Sequence, residues 1–563
     1  MNRRKWTGVA ASVTAAALVL TACGGGDNDQ AGGGLQGTDQ AAQGSWAINE
    51  QPYDQVKQGG ELKWPLDALP DNWNYNQLNG PLVDHDYILS ALIPKLHVAD
   101  KAGKIVVNPD YLESATLTSP DPQVVTYKLN PNAKWSDGTP IGWEDFDAQF
   151  KALNGTNEEF SVAGTTGYED IEKVEKGAAD NEVVVTFKKK FAEWTSLFSP
   201  LYPKSLNADP KTFNEGWIDG PKATAGPFKI ETIDQTAKLV SVVPDPNWWG
   251  RKPKLDKITF RVVERAALAD SLASDAIDWY KIGSSVDNFQ RAKAMQGVEV
   301  REAPGKSYNH ITFNGAETSI LADQKLRVAV MKAMDPNVYA KGILGPIVAD
   351  PKALGNHFFL QGTANYVDNS APIKADKEAA KADLEALGWK MDGEFRKKDG
   401  KQLDIRIVST AGNPISEQIS KLTQAQLKEV GVNVIIDAQP SATFFSDFVN
   451  TGNFDMVGFG WSQTPWPISS SKGIYYLDPN SVNQNFGRIG SEEINKLLDQ
   501  ANAELDDAKR VELTNQADKL IWEAGHHLPL YQVPGAVAVD AKLVNFGAFG
   551  VADPDYTAMG FAA

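Results

Sequence analysis

From residue 59 onward, short β-branched runs alternate with windows of helical spacing. Residues 124–129, 182–187, 239–243, 257–263, 403–408 and 432–436 are apolar runs of strand length. Ala380, Leu384 and Leu387 recur at i, i+4 and i+7 and stop at Gly388; Ile415, Ile419 and Leu422 do the same in a stretch that closes at Gly431. Val511, Leu513, Ala517, Leu520 and Ile521 predict a late helix, followed by His526 and Pro529. Residues 403–436 thus read strand, helix, strand, the unit of a mostly parallel sheet. Turn signals such as Trp135-Ser136-Asp137-Gly138-Thr139-Pro140 and Asp245-Pro246-Asn247 punctuate the first half, which is richer in strands than the region after residue 320. The expected fold class is mixed α/β, in more than one lobe.

Composition narrows what such a body can do. With 42% hydrophobic residues, 15 Trp, 15 Tyr and 23 Phe among 563 residues, the chain can build cores for two or three packed units and is not disordered. A formal net charge of −17 and a pI near 5.0 oppose binding to phosphate polyanions. No basic stripe relieves this, so no nucleic-acid partner is expected. Anionic lipid headgroups repel the same charge, so membrane attachment needs another source. A single cysteine excludes an intramolecular disulfide and zinc clusters of the Cys/His type.

That residue is Cys23. Arg3, Arg4 and Lys5 form a basic start, Gly8 to Leu20 is an apolar run too short to span a bilayer, and Leu20-Thr21-Ala22-Cys23 resembles a bacterial lipobox. Residues 1–22 therefore read as a signal peptide, and Cys23 as the lipidated first residue of a mature chain whose charge is −20 once three basic residues are lost. A diacylglyceryl group supplies two acyl chains, enough for stable anchoring. Residues 24–58, with GGG at 24–26 and 32–34, complete a lipidated linker over 23–58; a flexible coil of about 30 residues reaches roughly 30 Å. The expected location is outside the cell, lipid-anchored to the outer face of the bacterial cytoplasmic membrane.

No HExxH, GxSxG or Walker A motif occurs. Ser469-Ser470-Ser471-Lys472 matches the S-x-x-K of penicillin-recognising enzymes, but the S-D-N and K-T-G companions are missing. A serine-rich loop is the preferred reading, and no enzyme is expected. His526-His527 lacks an acidic partner at ligand spacing and is assigned a structural role near a helix end; no metal and no cofactor are implied. Glu492-Glu493 and Asp506-Asp507 are placed in helical first turns, where negative charge meets the dipole favourably. Aromatic residues beside amides are abundant: Trp64, Trp73 and Tyr75; Tyr308-Asn309-His310 with Phe313-Asn314; and Phe459-Gly460-Trp461 with Trp466. Such clusters build cores, and they also suit a pocket for a flexible polar ligand.

Several motifs follow in a recognisable order. They are Trp135-Ser136-Asp137-Gly138-Thr139-Pro140 with Trp143-Glu144-Asp145-Phe146; Thr224-Ala225-Gly226-Pro227-Phe228; Asn247-Trp248-Trp249-Gly250 with Pro253; and Asp275-Ala276-Ile277-Asp278. Phe313-Asn314 with Asp323, Arg327, Ala329 and Ala333-Met334-Asp335 comes next, then Ala386-Leu387-Gly388-Trp389, Asn453-Phe454-Asp455, Gly460-Trp461 and His527-Leu528-Pro529-Leu530-Tyr531. The series resembles family 5 of the bacterial extracellular solute-binding proteins, the dipeptide- and oligopeptide-binding components of ABC importers.

The resemblance implies a receptor of the periplasmic-binding-protein type, two lobes closing over solute, with an additional inserted lobe. Lobe I would comprise 59–95, 215–305 and 525–563, the inserted lobe II 96–214, and lobe III 306–524. Such a receptor would be monomeric, with an ABC permease and ATPase as partners. In peptide-binding relatives an aspartate three residues beyond the tryptophan of the Gly460-Trp461 motif pairs with the peptide's α-ammonium; Thr464 holds that place here. A hydroxyl cannot supply the charge-assisted bond of a carboxylate. Either Asp84 or Asp86 takes the role, or the ligand has no free amine there. Oligopeptide is the first expectation, an oligosaccharide or other uncharged solute in a tryptophan-rich cleft the second. A sensory or envelope lipoprotein and a hydrolase using Ser469 and Lys472 are the alternatives outside transport. The expected ligand-binding residues are Gly460, Trp461, Ser462, Gln463 and Thr464, with Tyr308 and Asn309 facing them.

Overall fold

The computed structural model describes residues 46–563. The expected signal peptide, Cys23 and the first part of the linker lie outside the described residues. Within them, three sheets organise the main cores. Glu61–Leu66 runs parallel to Lys257–Val262, which pairs antiparallel with Leu239–Pro244 and, beyond it, Phe228–Asp234. Their alternation puts Leu62, Trp64, Val240 and Phe260 inward, in a core completed by Trp73, Trp279 and Phe546. Leu112–Pro120, Gln123–Leu129, Glu182–Phe187 and Ile171–Lys176 form an antiparallel sheet over a second core that includes Val125, Tyr127, Phe146 and Val185.

The third sheet is mixed and has the order Asn433–Gln439, Asp404–Thr410, Met456–Ser462, Ser307–Phe313, His527–Gln532. Asp404–Thr410 lies parallel to Asn433–Gln439, joined by the helix Pro414–Lys428, so the strand, helix, strand reading of this segment holds. Asn413 caps that helix through bonds from the Ile415 and Ser416 N–H groups, and Gly431, at φ 80°, supplies the left-handed turn that ends it. The late helix runs Asp507–Ala524; Arg327, buried at 4% exposure, ties its end down by donating to the carbonyls of Ala524 and Gly525.

The ordered motifs are joints between chain segments. Asp145 accepts from Trp135 Nε1 and from the N–H groups of Gly142 and Lys204, fixing the turn and the following helix together. Ser136 exchanges hydrogen bonds with Thr224, and Gly226 passes so close to the Ala91 carbonyl that a Cβ would stand 2.3 Å from it.

Four expectations change. The linker does not stay free to residue 58: Ala47 bridges Ala548, Val56 bridges Ala562, and Ile48 and Val56 are buried, because these apolar side chains have a core to enter. His527–Gln532, placed with lobe I, instead hydrogen-bonds to Ser307–Phe313 in the third sheet. Tyr202 and Leu206, placed in the insert, pack in the core of the first sheet. Ser469 and Lys472 are not in a loop but in the helix Pro467–Tyr475, which Pro467 opens; Ser469 Oγ donates to Glu193 at 2.5 Å and Lys472 pairs with Asp499 at 2.6 Å.

Candidate functional site

The third sheet sets Tyr308 opposite Trp461, Asn309 opposite Gly460 and Ser307 opposite Ser462. Tyr308 and Asn309, expected to face the Gly460–Trp461 segment, are its cross-strand neighbours. Because side chains alternate along a strand, Tyr308 and Trp461 share one face, and Asn309, Gly460 and Ser462 share the other. Tyr308 is fully buried, with its hydroxyl 3.4 Å from that of Tyr475, and burial raises its pKa. Trp461 stacks between Phe486 and His310, each ring centroid 6.0 Å away. On the opposite face Asn309 Nδ2 donates to the Tyr531 hydroxyl at 2.9 Å, and the Ser307 and Ser462 hydroxyls meet at 2.9 Å.

Past Ser462 the chain leaves the sheet. The Gln463 N–H donates to the Lys306 carbonyl at 2.8 Å, and Gln463 Nε2 donates to the His357 carbonyl at 3.1 Å. Thr464 Oγ1 accepts from the Trp466 N–H at 3.1 Å, making a local turn. A cavity of about 250 Å³ opens beside this turn. Its wall is built from Gln463, Thr464, Pro465 and Pro467, from Pro304, Gly305 and Lys306, from the segment 358–365, and from Gln532, Ala102, Gly103 and Val551.

Of the expected residues, Gln463 and Thr464 line this cavity; Trp461, Gly460, Ser462, Tyr308 and Asn309 do not. The expected tryptophan-rich cleft is absent from the described lining. Trp64 and Trp73 fill a core, and Trp466 donates to Thr195 at 2.8 Å. The aromatic lining is Phe358 and Phe359. Asn356 holds these two in place by accepting both of their N–H groups, at 2.9 and 2.8 Å.

Behind them stands a buried histidine cluster. His357 Nδ1 lies 2.6 Å from the fully buried Asp518, His527 Nε2 lies 3.0 Å from the Tyr475 hydroxyl, and His310, His357 and His526 each pack against His527. Burial pushes His526 down to about 3 and lowers His310 and His527 well below the ordinary imidazole value. His310, His526 and His527 are therefore neutral packing units near neutral pH.

The arrangement offers concave walls, amides and one cation, a lining that suits binding of a solute. Comparison with known proteins agrees. The family model described as "Bacterial extracellular solute-binding proteins, family 5 Middle" matches residues 106–483. The chain belongs to this family.

Among its relatives, this family 5 member is 41% identical over 517 residues to the oligopeptide-binding protein OppA of Mycobacterium tuberculosis, covering 91% of this chain and 87% of that one. It is 24% identical to OppA of Lactococcus lactis, over 99% of this chain and 97% of the relative. Among solved structures, the periplasmic EDTA-binding protein EppA matches with a TM-score of 0.84 at 25% identity, over 93% of this chain and all of that one. AppA of Bacillus subtilis, in complex with a nonapeptide, matches at 0.76 and 19% identity, over 90% of this chain and all of that one, which shows the shared fold. Among the described residues no helix is long and apolar enough to cross a membrane.

Asp84 and Asp86, considered as substitutes for the anchoring aspartate, are engaged elsewhere in this family 5 member. Asp84 accepts from the N–H groups of Asp67 and Ala68, and Asp86 pairs with Lys95 at 2.9 Å. Neither lines the cavity. Sequence reasoning missed Lys306, Gln532 and the segment 358–365. One signal was present: 356–361 is a polar-flanked apolar run of no clear period, bracketed by Gly355 and Gly362, the texture of a wall-forming loop.

Proposed function

We propose that this chain is the substrate-binding component of an ABC importer and that it captures oligopeptides in the cavity beside Gln463 and Thr464. The observation that carries this reading is the 41% identity over 517 residues to an oligopeptide-binding protein, with 91% of this chain covered. The cavity supports it, since apolar walls with a few amides suit a ligand of repeating polar backbone and variable side chains. At about 250 Å³ it falls below the roughly 300–1,000 Å³ of sites that enclose a drug-sized ligand, so it takes one part of a longer chain. The lobes move as a hinge: closing on solute outside the cell, opening at the permease and its ATPase. Export uses residues 1–22, and Cys23 carries the lipid anchor; the ordered basic start, apolar run and small residues before the cysteine support this. Gln463 and Thr464 contact ligand, while Trp461, Tyr308, Asn309, Gly460 and Ser462 belong to the two inner strands that position them.

Thermal-shift measurement against pooled peptides and pooled oligosaccharides tests the reading. A ligand at 100 times its Kd adds about 2.7 kcal/mol. Stabilisation by the peptide pool is the expected result; stabilisation by saccharides alone overturns the peptide assignment.

A further inference from the structure

The chain enters the third sheet at Ser307 and leaves it after Gln532. The two crossings adjoin: the Gly535 N–H donates to the Ala303 carbonyl at 3.1 Å, and the Val533 N–H to the Ser307 carbonyl at 2.8 Å. A second connection between the bodies is noncovalent, where the turn 192–195 of the inserted lobe meets the start of the helix Pro467–Tyr475. The cavity is walled by both: Pro304, Gly305 and Lys306 come from a crossing, Pro465 and Pro467 from the helix start.

The inserted lobe presents this turn as a fixed finger. At its base Gln123 accepts the Phe191 N–H at 2.8 Å and donates to the Phe191 carbonyl at 2.9 Å, and Trp194 packs edge-on against His97 and Tyr127. Three residues of the finger then bond across the interface. The Ala192 N–H donates to the Asn502 carbonyl at 2.7 Å, and Thr195 Oγ1 accepts from Trp466 Nε1 at 2.8 Å. Glu193, 7% exposed, accepts from the N–H groups of Ile468 and Ser469 at 3.2 and 2.8 Å and from Ser469 Oγ at 2.5 Å. Burial raises the Glu193 pKa and these donors oppose the rise, so the water it has lost is replaced only while the two bodies touch. Separation returns carboxylate and donors to water together, an exchange of small net free energy, as a contact that opens and recloses requires.

We propose that Glu193 and Thr195 form a clasp by which the inserted lobe holds the third-sheet lobe closed. The Trp466 N–H donates to Thr464 Oγ1 while its ring N–H donates to Thr195, so the clasp also fixes the Gln463–Thr464 turn. Both are positioning residues that act without touching solute. The inference rests on the receptor reading above and gives the inserted lobe a use: retention of solute is set partly outside the cavity.

The test is small-angle X-ray scattering of the mature protein through a titration with pooled random peptides, with release rates read after dilution. The radius of gyration of the unaltered protein is expected to fall as peptide binds. In Glu193→Gln the midpoint of that fall should move to at least about tenfold higher peptide concentration, and in Thr195→Val to about threefold higher, as the closed population is lost. Thr195→Ser keeps the hydroxyl and should stay within about twofold of the unaltered protein. The losses should lie in faster release. A merely structural cap would lower the denaturation midpoint of Glu193→Gln and leave the scattering midpoint and release rate unchanged; that result overturns the inference alone, as does peptide binding without compaction. An unaltered protein that neither compacts nor gives a calorimetric signal with the peptide pool overturns the peptide reading and this inference with it.

Discussion

The Gln463 N–H donates to the Lys306 carbonyl at 2.8 Å, so the turn that leaves one strand of the third sheet is pinned to the residue that enters its neighbour. This bond continues the ladder that pairs Tyr308 with Trp461. Two sequence-distant segments thereby share one cavity wall, with the sheet as the rigid support. Displacing either segment moves the other, which makes the Gln463–Thr464 turn and Lys306 a single positioning unit.

Thr464→Asp tests what the altered anchor position does. An aspartate can keep the turn bond that Thr464 Oγ1 accepts from the Trp466 N–H, and it adds a carboxylate to a wall that has none. Hydrogen bonds to charged groups contribute about 1.5–3 kcal/mol, so affinity for free-amine peptides should rise by roughly tenfold or more while that for N-acetylated peptides does not. Titration with both forms reads this directly. Unchanged affinity for the free amines places Thr464 away from the ligand's amino end.

Trp461→Ala separates packing from ligand stacking. The ring lies between Phe486 and His310 and does not line the cavity. Fully buried aromatic truncations cost about 3–5 kcal/mol; this half-buried ring should cost about 2–3 kcal/mol in a denaturant titration. Peptide affinity measured on the folded fraction should change less than about threefold. A tenfold loss of affinity at unchanged stability would put the ring on the ligand.

Acid should destabilise the body through its buried imidazoles. His526 is held at about 3, His85 and His97 at about 4, and His310 and His527 are lowered further, all mainly by burial. A depressed imidazole contributes its full stability above the unfolded value near 6.5, and that stability is lost as pH falls toward the folded value. At pH 5 one such histidine accounts for up to about 2 kcal/mol. Asp170 and Asp278, raised to about 6 by burial, act in the opposite sense between about 6 and 4. Asp84, Asp110, Asp145 and Glu193 are also raised by burial and act with these two aspartates, and the five histidines outweigh them to leave a net fall in unfolding free energy from pH 7 to pH 5, measurable by urea titration. A flat profile would contradict neutral burial of these five histidines.

The secondary structure was legible where period and punctuation agreed, as in Glu182–Phe187 and in Pro414–Lys428 with its Asn413 cap and Gly431 stop. The family was legible because its motifs are local joints, such as Asp145 holding Trp135 to a helix start, and these need fixed residues at short spacing. The site was only partly legible. Gln463 and Thr464 could be placed by their distance from Trp461, but Lys306 and Gln532 enter the cavity through strand pairing between distant segments, which leaves no mark on either segment alone. The aromatic clusters misled for a related reason: Trp461 and Tyr308 pair across strands, and only the register shows which face they occupy.

The S-x-x-K match has a structural use. Glu193, buried, accepts from the N–H groups of Ile468 and Ser469 at 3.2 and 2.8 Å and from Ser469 Oγ, capping the helix Pro467–Tyr475 from a distant segment. Ser469→Ala should cost about 0.5–1.5 kcal/mol and Glu193→Ala about 1.5–3 kcal/mol, the latter because the first-turn donors lose a charged partner. Chemical denaturation of the two variants checks the order. Hydrolysis of an acyl ester that disappears in Ser469→Ala would assign the serine to catalysis instead.

Native mass spectrometry of the mature protein, incubated with an equimolar mixture of random peptides and oligosaccharides, tests the central claim most directly. The expected result is a set of complexes whose added masses are those of peptides. Protein that stays unliganded, or that gains only saccharide masses, would contradict an oligopeptide receptor.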